Sequence, residues 1–317
     1  ISISGIFLAY INKQNKLKSL IKNGIAPIKA KGMIFISPEL TKPNVLIIIG
    51  SIIFVLFTLF IGTSKIQFSQ EIVFVGSFGI ILLLLIKLSN ELDTKAKRML
   101  LGTAIIIFVF RAMPGVGQGG SWFEIDVLKF DQEFLSLLGL IASFLTIFGI
   151  FILRPLMEKS SMSRLIIILS VAGSIFILPS IAMYYGFHEY TSKLTGGIVD
   201  ERFIAIFNTA LESPLGQVSM IPILAWIAQS APSHLKATFF AILASFTNLA
   251  LSASNLGTKY LNQIFVITRE VKTEQGEIKI PADYSELGIL LIIVCLLTLI
   301  VPIIITFVIK KLRLISY

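Results

Sequence analysis

The chain has 317 residues, 55% of them hydrophobic and only 14% charged, with a formal net charge of +9. A soluble domain carries about 25% charged residues, so this composition excludes a water-solvated globule and calls for the bilayer as solvent. The basic residues fall in short blocks between apolar runs and match no zinc-finger, homeodomain or aromatic-basic RNA pattern, which excludes nucleic acid as a partner.

The opening ISISGIFLAYI is apolar only to residue 11. That is short of the ~20 residues a span needs, and no basic leader precedes it. Residues 1–11 therefore read as the remnant of a helix that begins earlier, and the chain as a fragment. Residues 12–43 read as a cytoplasmic loop, with seven lysines from Lys13 to Lys42 against the single acid Glu39. Apolar runs follow at 45–63, 71–89, 99–119, 132–154, 164–185, 203–229, 236–257 and 287–309. Each is close to spanning length. The first two lie in 44–98, and the last six make up 99–317. The runs are continuous rather than alternating, which excludes a β-barrel. The predicted class is an all-α polytopic membrane protein.

Alternation from a cytoplasmic 12–43 puts 90–98 (Lys95, Lys97, Arg98), 154–164 (Arg154, Lys159, Arg164), 230–236 (Lys236) and the tail (Lys310, Lys311, Arg313) on the same side. Each is net basic, as the positive-inside rule requires, and the reversed orientation fails. The outer loops are then 64–70, 120–131, 186–202 and 258–286. The C-terminus is expected in the cytoplasm of a cell membrane, with a bacterial inner membrane as the setting.

Charges within the spans are few, and each costs at least ~2.5 kcal/mol at mid-bilayer. Arg111 lies deep in its span and is followed by MPGVGQGG, a run of helix breakers. An interrupted helix frees backbone groups that survive at that depth only against protein or a watery cavity. Two readings stand: an anion-binding arginine at a broken helix, or a structural arginine paired with a buried acid. Glu212 is the corresponding acid, flanked by Asn208, Ser213, Pro214, Gly216, Gln217 and Pro222, with Ser219 further along. Hydrocarbon favours the neutral form of a carboxyl group, which suits proton coupling, and a salt bridge to Arg111 is the competing reading. Asn248 sits in a span full of alanine and serine, so it either packs helices closely or lines a cavity. Lys259 reads as an interfacial snorkeller, and Trp122 and Phe123 as an aromatic belt. The single cysteine, Cys295, and the two isolated histidines, His188 and His234, make no metal site. No nucleotide loop, dinucleotide fingerprint or hydrolase motif is present, so neither an enzyme nor a resident cofactor is expected.

Three stretches carry a resemblance: RAMPGVGQGGSWFEIDVLKFDQEFLSLLGL, GGIVDERFIAIFNTALESPLGQVSMIPILAWIAQSAP and HLKATFFAILASFTNLALSASNLG. In type, order and spacing they resemble the seventh and eighth, tenth and eleventh helices of the folate–biopterin transporter family, a branch of the major facilitator superfamily, over roughly 99–309. The resemblance implies a facilitator-like bundle. Its C-terminal six-helix half starts at 99, two extra central helices precede it, and the N-terminal half is missing, for about fourteen helices in the intact protein. It implies a proton-coupled symporter of pteridines, folate or a related organic anion, working by alternating access. Its partners are the small-molecule substrate, protons, the lipid bilayer and the N-terminal half of the same protein. Arg111 would grip folate carboxylates, and Glu212, Gln217 or Asn208 would meet the pterin ring edge. The competing functions are a facilitator-type carrier of another metabolite or peptide, and a non-transporting membrane scaffold.

Overall fold

A computed structural model describes residues 3–27, 45–64, 66–90, 92–215, 221, 226, 236–273 and 277–314. Among these residues the regular elements are helices, apart from one two-stranded hairpin. It divides into two units, Ile1–Ile49 and Gly50–Tyr317. The first holds α1 (Ile3–Lys22) and the start of α2 (Val45–Thr63). Helix α1 continues well past residue 11, where a loop was expected. The residues involved, NKQNKLKSLIK, are mostly good helix formers and contain no glycine or proline.

In the second unit, α3 is Ser69–Ser89, α4 Thr94–Arg111, α5 Gln118–Asp126, α6 Gln132–Ile152, α7 Arg154–Lys159 and α8 Met162–Tyr184. Then come α9 (Phe187–Leu194), α10 (Glu201–Glu212) with a 3₁₀ turn at Ser213–Leu215, α11 (Lys236–Ile264) and α12 (Leu287–Lys311). Among the described residues, five helices are long and apolar enough to cross a membrane: α3, α6, α8, α12 and Phe239–Ile264 of α11. Residues Ile48–Thr63 form a shorter apolar helix. The expected run 99–119 is in fact α4, which ends at Arg111, then an irregular stretch, then α5. The expected run 203–229 is helical as α10 only to Glu212, and most of its remainder lies outside the described residues.

Side chains mark several helix starts. Asp93 caps α4 by accepting from Ala96 N at 2.6 Å, Asp131 caps α6 from Phe134 N at 2.8 Å, and Asp200 caps α10 from Phe203 N at 2.8 Å. Each cap satisfies a backbone donor that the first helical turn leaves open.

Hydroxyl side chains reach the interior. Ser77, Thr103, Ser163, Ser170, Ser174, Thr247 and Thr306 are buried, whereas Leu140, Phe144, Phe151 and Phe307 point outward. In lipid the hydrophobic effect does not drive helices together, so small and hydroxyl side chains set the interfaces. The α8–α12 contact shows this: Ser174 Oγ donates to the Ser170 carbonyl at 2.8 Å and to the Cys295 carbonyl at 3.3 Å.

Between α11 and α12 a polar segment forms β1 (Val271–Lys272) and β2 (Ile278–Ile280), paired antiparallel, with a Thr268–Asp283 bridge at the base.

Candidate functional site

Helix α4 stops immediately after Arg111, and the chain does not re-enter a helix until Gln118. Pro114 ends the ladder because it has no amide hydrogen to donate. Gly117 turns the chain at φ 80°, where an L side chain is strained; a Cβ there would also press on Asn262 at 2.8 Å. The freed backbone groups of this break find partners on one face of α11. Ser254 Oγ donates to the Met113 carbonyl at 2.7 Å. Gly115 N donates to Thr258 Oγ1 at 2.9 Å, and Asn262 Nδ2 donates to the Val116 carbonyl at 3.1 Å. Ser254, Thr258 and Asn262 are spaced i, i+4, i+8, which stacks them along a helix face. The break is thus supported by protein contacts along α11. Arg111 is half-buried at its edge.

A second break follows Glu212. Helix α10 tightens into the 3₁₀ turn Ser213–Leu215, which docks on α6: Thr146 Oγ1 donates to the Ser213 carbonyl at 3.0 Å. The fit depends on Gly149, since a Cβ there would run into the Pro214 backbone. Asn208 is half-buried and Glu212 is exposed at the end of α10. The ion pairs among the described residues are Arg202–Asp131, Lys259–Glu71, Arg269–Asp126 and Lys272–Glu270, none of which includes Glu212. Gln217, Ser219 and Pro222 lie outside the described residues.

Asn248 lines a cavity of about 460 Å³ between α2, α3 and α11. Arg111, Asn208 and Glu212 are not among its lining residues. The structure therefore distributes the predicted residues over three places: the α4 break, the α10 break and the α2–α3–α11 cavity. Lys259 is more than a snorkeller. Its Nζ reaches Glu71 Oε1 at 2.6 Å, and the Tyr260 hydroxyl donates to the same oxygen at 2.8 Å.

Outside the candidate spans, a polar cluster ties the β1–β2 hairpin down. Arg269 holds Asp126 with two bonds, both 2.8 Å, and the Tyr284 hydroxyl donates to Asp126 Oδ2 at 2.7 Å. The bond from Arg269 holds the Asp126 carboxyl below its ordinary range. Burial, then the bond to Asp126, pushes Tyr284 up to about 12. Two residues before Asp126, burial alone pushes the Glu124 carboxyl above its ordinary range. Among the described residues no group of three acids, histidines or cysteines is placed to hold a metal ion.

Sequence reading missed Glu71, Thr258 and Asn262. The four-residue spacing from Ser254 to Asn262 was the available signal, but it acquires meaning only with a broken helix opposite it. Glu71 gave no signal, because at a span end it reads as an ordinary interfacial acid.

A family model, that of the BT1 family, matches residues 35–316. A folate-biopterin transporter of Synechocystis sp. is 23% identical over 156 residues, which cover 49% of this chain and 30% of that relative. The match therefore spans less than a third of the relative's length. No solved structure matches the chain.

Proposed function

The chain belongs to the BT1 family, and from that premise we propose that it forms part of a proton-coupled carrier of folate- or biopterin-type pteridines rather than an enzyme. In this reading residues 99–317 are the C-terminal six-helix bundle of a facilitator-like protein, and 44–98 supply two extra central helices. The bundle rocks against an N-terminal half to give alternating access. Both the basic loops and the tail face the cytoplasm.

One observation carries the reading: the α4 break at residues 112–117 sits beside Arg111 and is braced from behind by Ser254, Thr258 and Asn262. Interrupted spans with their freed backbone braced on one side are how carriers present polar groups to a solute inside the bilayer. Arg111 supplies the fixed positive charge that an anionic pteridine derivative needs. Glu212, exposed at the end of a second break, supplies an acid that gains and loses a proton. Asn208, one turn earlier on α10, supplies a neutral hydrogen-bonding group, and Gln217 is assigned the same role from its place in the sequence alone.

The test is uptake into vesicles containing the whole protein. Labelled folate and biopterin should accumulate when the outside is made acidic, and a protonophore should collapse the accumulation. Arg111→Ala should abolish folate uptake, and Glu212→Gln should remove the response to the pH gradient while leaving exchange. Absence of uptake of either solute, or uptake indifferent to both substitutions, overturns the proposal.

A further inference from the structure

Beside the α4 break lies a second cavity, of about 190 Å³. It is lined by the break at Val116 and Gly117, by α5, by the end of α8 at Ser180 and Met183, and by the start of α12 at Leu287 and Leu291. Its apolar wall belongs to the cluster that packs this end of the bundle, where buried Phe123 and Leu128 join Met183, Leu287 and Leu291. Glu124 is the one ionisable side chain among the described lining residues. It is half-buried, and its carboxyl makes no hydrogen bond or ion pair with the described residues.

The titratable groups on the same elements are engaged elsewhere or turned to solvent. Asp126 is held by Arg269 and Tyr284. The Tyr184 hydroxyl donates to the Tyr284 and Ser285 carbonyls at 3.0 and 2.9 Å, and Lys129 donates to the Asp126 carbonyl. Glu286 is exposed, and Arg111 is not part of the lining. Burial alone therefore acts on Glu124 and pushes its carboxyl above its ordinary range. An ionised carboxylate in such a place costs desolvation free energy, which the neutral acid avoids. The cavity is wide enough to admit several waters, and Ser180 and the exposed Ser121 supply hydroxyls to meet them.

We propose that Glu124 is a proton-operated switch. Carrying its proton, it lets α5 pack against α8 and α12; on passing that proton to water in the cavity, it lifts α5 and loosens the break. The link to the break is direct. Val116 lines the cavity with its side of the chain, while its carbonyl accepts from Asn262 of α11. The packed arrangement prefers the protonated acid, so it is favoured at low pH and loses that advantage as pH rises through the raised value. The inference rests on the carrier reading above and sharpens its proton coupling. With the basic loops cytoplasmic, this end of the bundle faces outward, so an acid exterior closes it.

Thiol labelling of the whole protein in detergent tests the switch. In a Cys295→Ala background, Leu291→Cys replaces a buried wall residue of the cavity. Labelling by a water-soluble maleimide is compared with and without Glu124→Gln, which fixes the neutral form. The thiol's own pH dependence cancels in that ratio. The ratio should be near one at about pH 5 and rise towards about pH 8, by up to about tenfold for each unit that packing raises the acid. Glu124→Asp should keep a rise. A ratio that is the same at every pH, whether one or not, marks Glu124 as merely structural and overturns the proposal. Infrared titration needs no cysteine. The carbonyl stretch of a protonated acid should disappear in Glu124→Gln, and in the unsubstituted protein it should fade with a midpoint above the ordinary glutamate value. Absence of that band also overturns the switch. Uptake into vesicles separates the switch from the carrier reading. If labelling responds as expected and neither folate nor biopterin is taken up, the carrier reading falls and the switch stands. If uptake keeps its full response to outside acid in Glu124→Gln, the proposal falls alone.

Discussion

Helices α6 and α11 are both candidate membrane spans, yet they use the bilayer in opposite ways. Only 6% of the spanning window of α6 is buried within the chain, against 39% for α11. Leu140, Phe144, Ile147 and Phe151 of α6 point outward, and its inward hold is a small spot where Thr146 and Gly149 receive the 3₁₀ turn. Helix α11 carries three polar tasks on its length: the cavity at Asn248 and Asn255, the brace of the α4 break, and the Lys259–Glu71 pair. Greasy sequence in a membrane marks what faces lipid, and the polar minority marks what is packed. The helix that looks least like a membrane span is the one most of the candidate site is built on.

The largest effect tests whether α6 depends on its one spot. Gly149→Val should cost about 3 kcal/mol or prevent folding, because the colliding atoms are Pro214 backbone and have little room to give. Phe144→Ala, on the outward face, should stay within about 0.5 kcal/mol. Thermal unfolding followed by size-exclusion in detergent reads both. Equal losses at the two positions would erase the contrast within α6. On α11 the same logic predicts graded losses. Asn262→Leu should cost about 1–2 kcal/mol, since it orphans the Val116 carbonyl. Ser254→Ala and Thr258→Val should cost nearer 0.6 kcal/mol each, a typical interhelical hydrogen bond in lipid (~0.6). Neutral Asn262→Leu would mean that the break holds itself and that α11 is mere scaffolding.

Much of this was legible in sequence, for reasons that differ by residue. The class follows from run length, because a helix must bury its backbone across a fixed thickness; the number of spans does not, since eight runs were expected and five helices among the described residues are long and apolar enough to cross. The α4 break was legible at Pro114 and Gly117, whose chemistry is local. The end of α10 at Glu212 was not read from the sequence, where 203–229 was one expected span; its 3₁₀ turn and its dependence on Gly149 are set by a neighbouring helix. Asn248 could be read as packing or as cavity, and sequence alone held no information on what α2 and α3 bring opposite it.

The smallest effects should come from outside the bilayer, where water competes for polar groups, and two acids in α5 sharpen the point because their signs oppose. Asp126 is held by Arg269 and Tyr284, and its carboxyl lies below the ordinary value of 3.8. Its stabilising contribution is therefore present above the unfolded value and is lost as pH falls through the lower folded one. Glu124, two residues earlier, has its carboxyl raised above 4.5 by burial. For that group the folded state prefers the proton, so its contribution is full below the unfolded value and is lost as pH rises through the folded one. Asp126→Asn should therefore lower the melting temperature at pH 7, with the deficit narrowing as the pH is taken below 3.8. Glu124→Gln should raise it at pH 7, with the gain vanishing near pH 4 because the protonated acid and the amide are then alike in charge. Melting curves of both variants against the unsubstituted chain across that range measure the two trends. Parallel behaviour of the two variants would mean that burial and pairing do not govern these acids, and would remove the distinction drawn between packed polar groups and solvated ones.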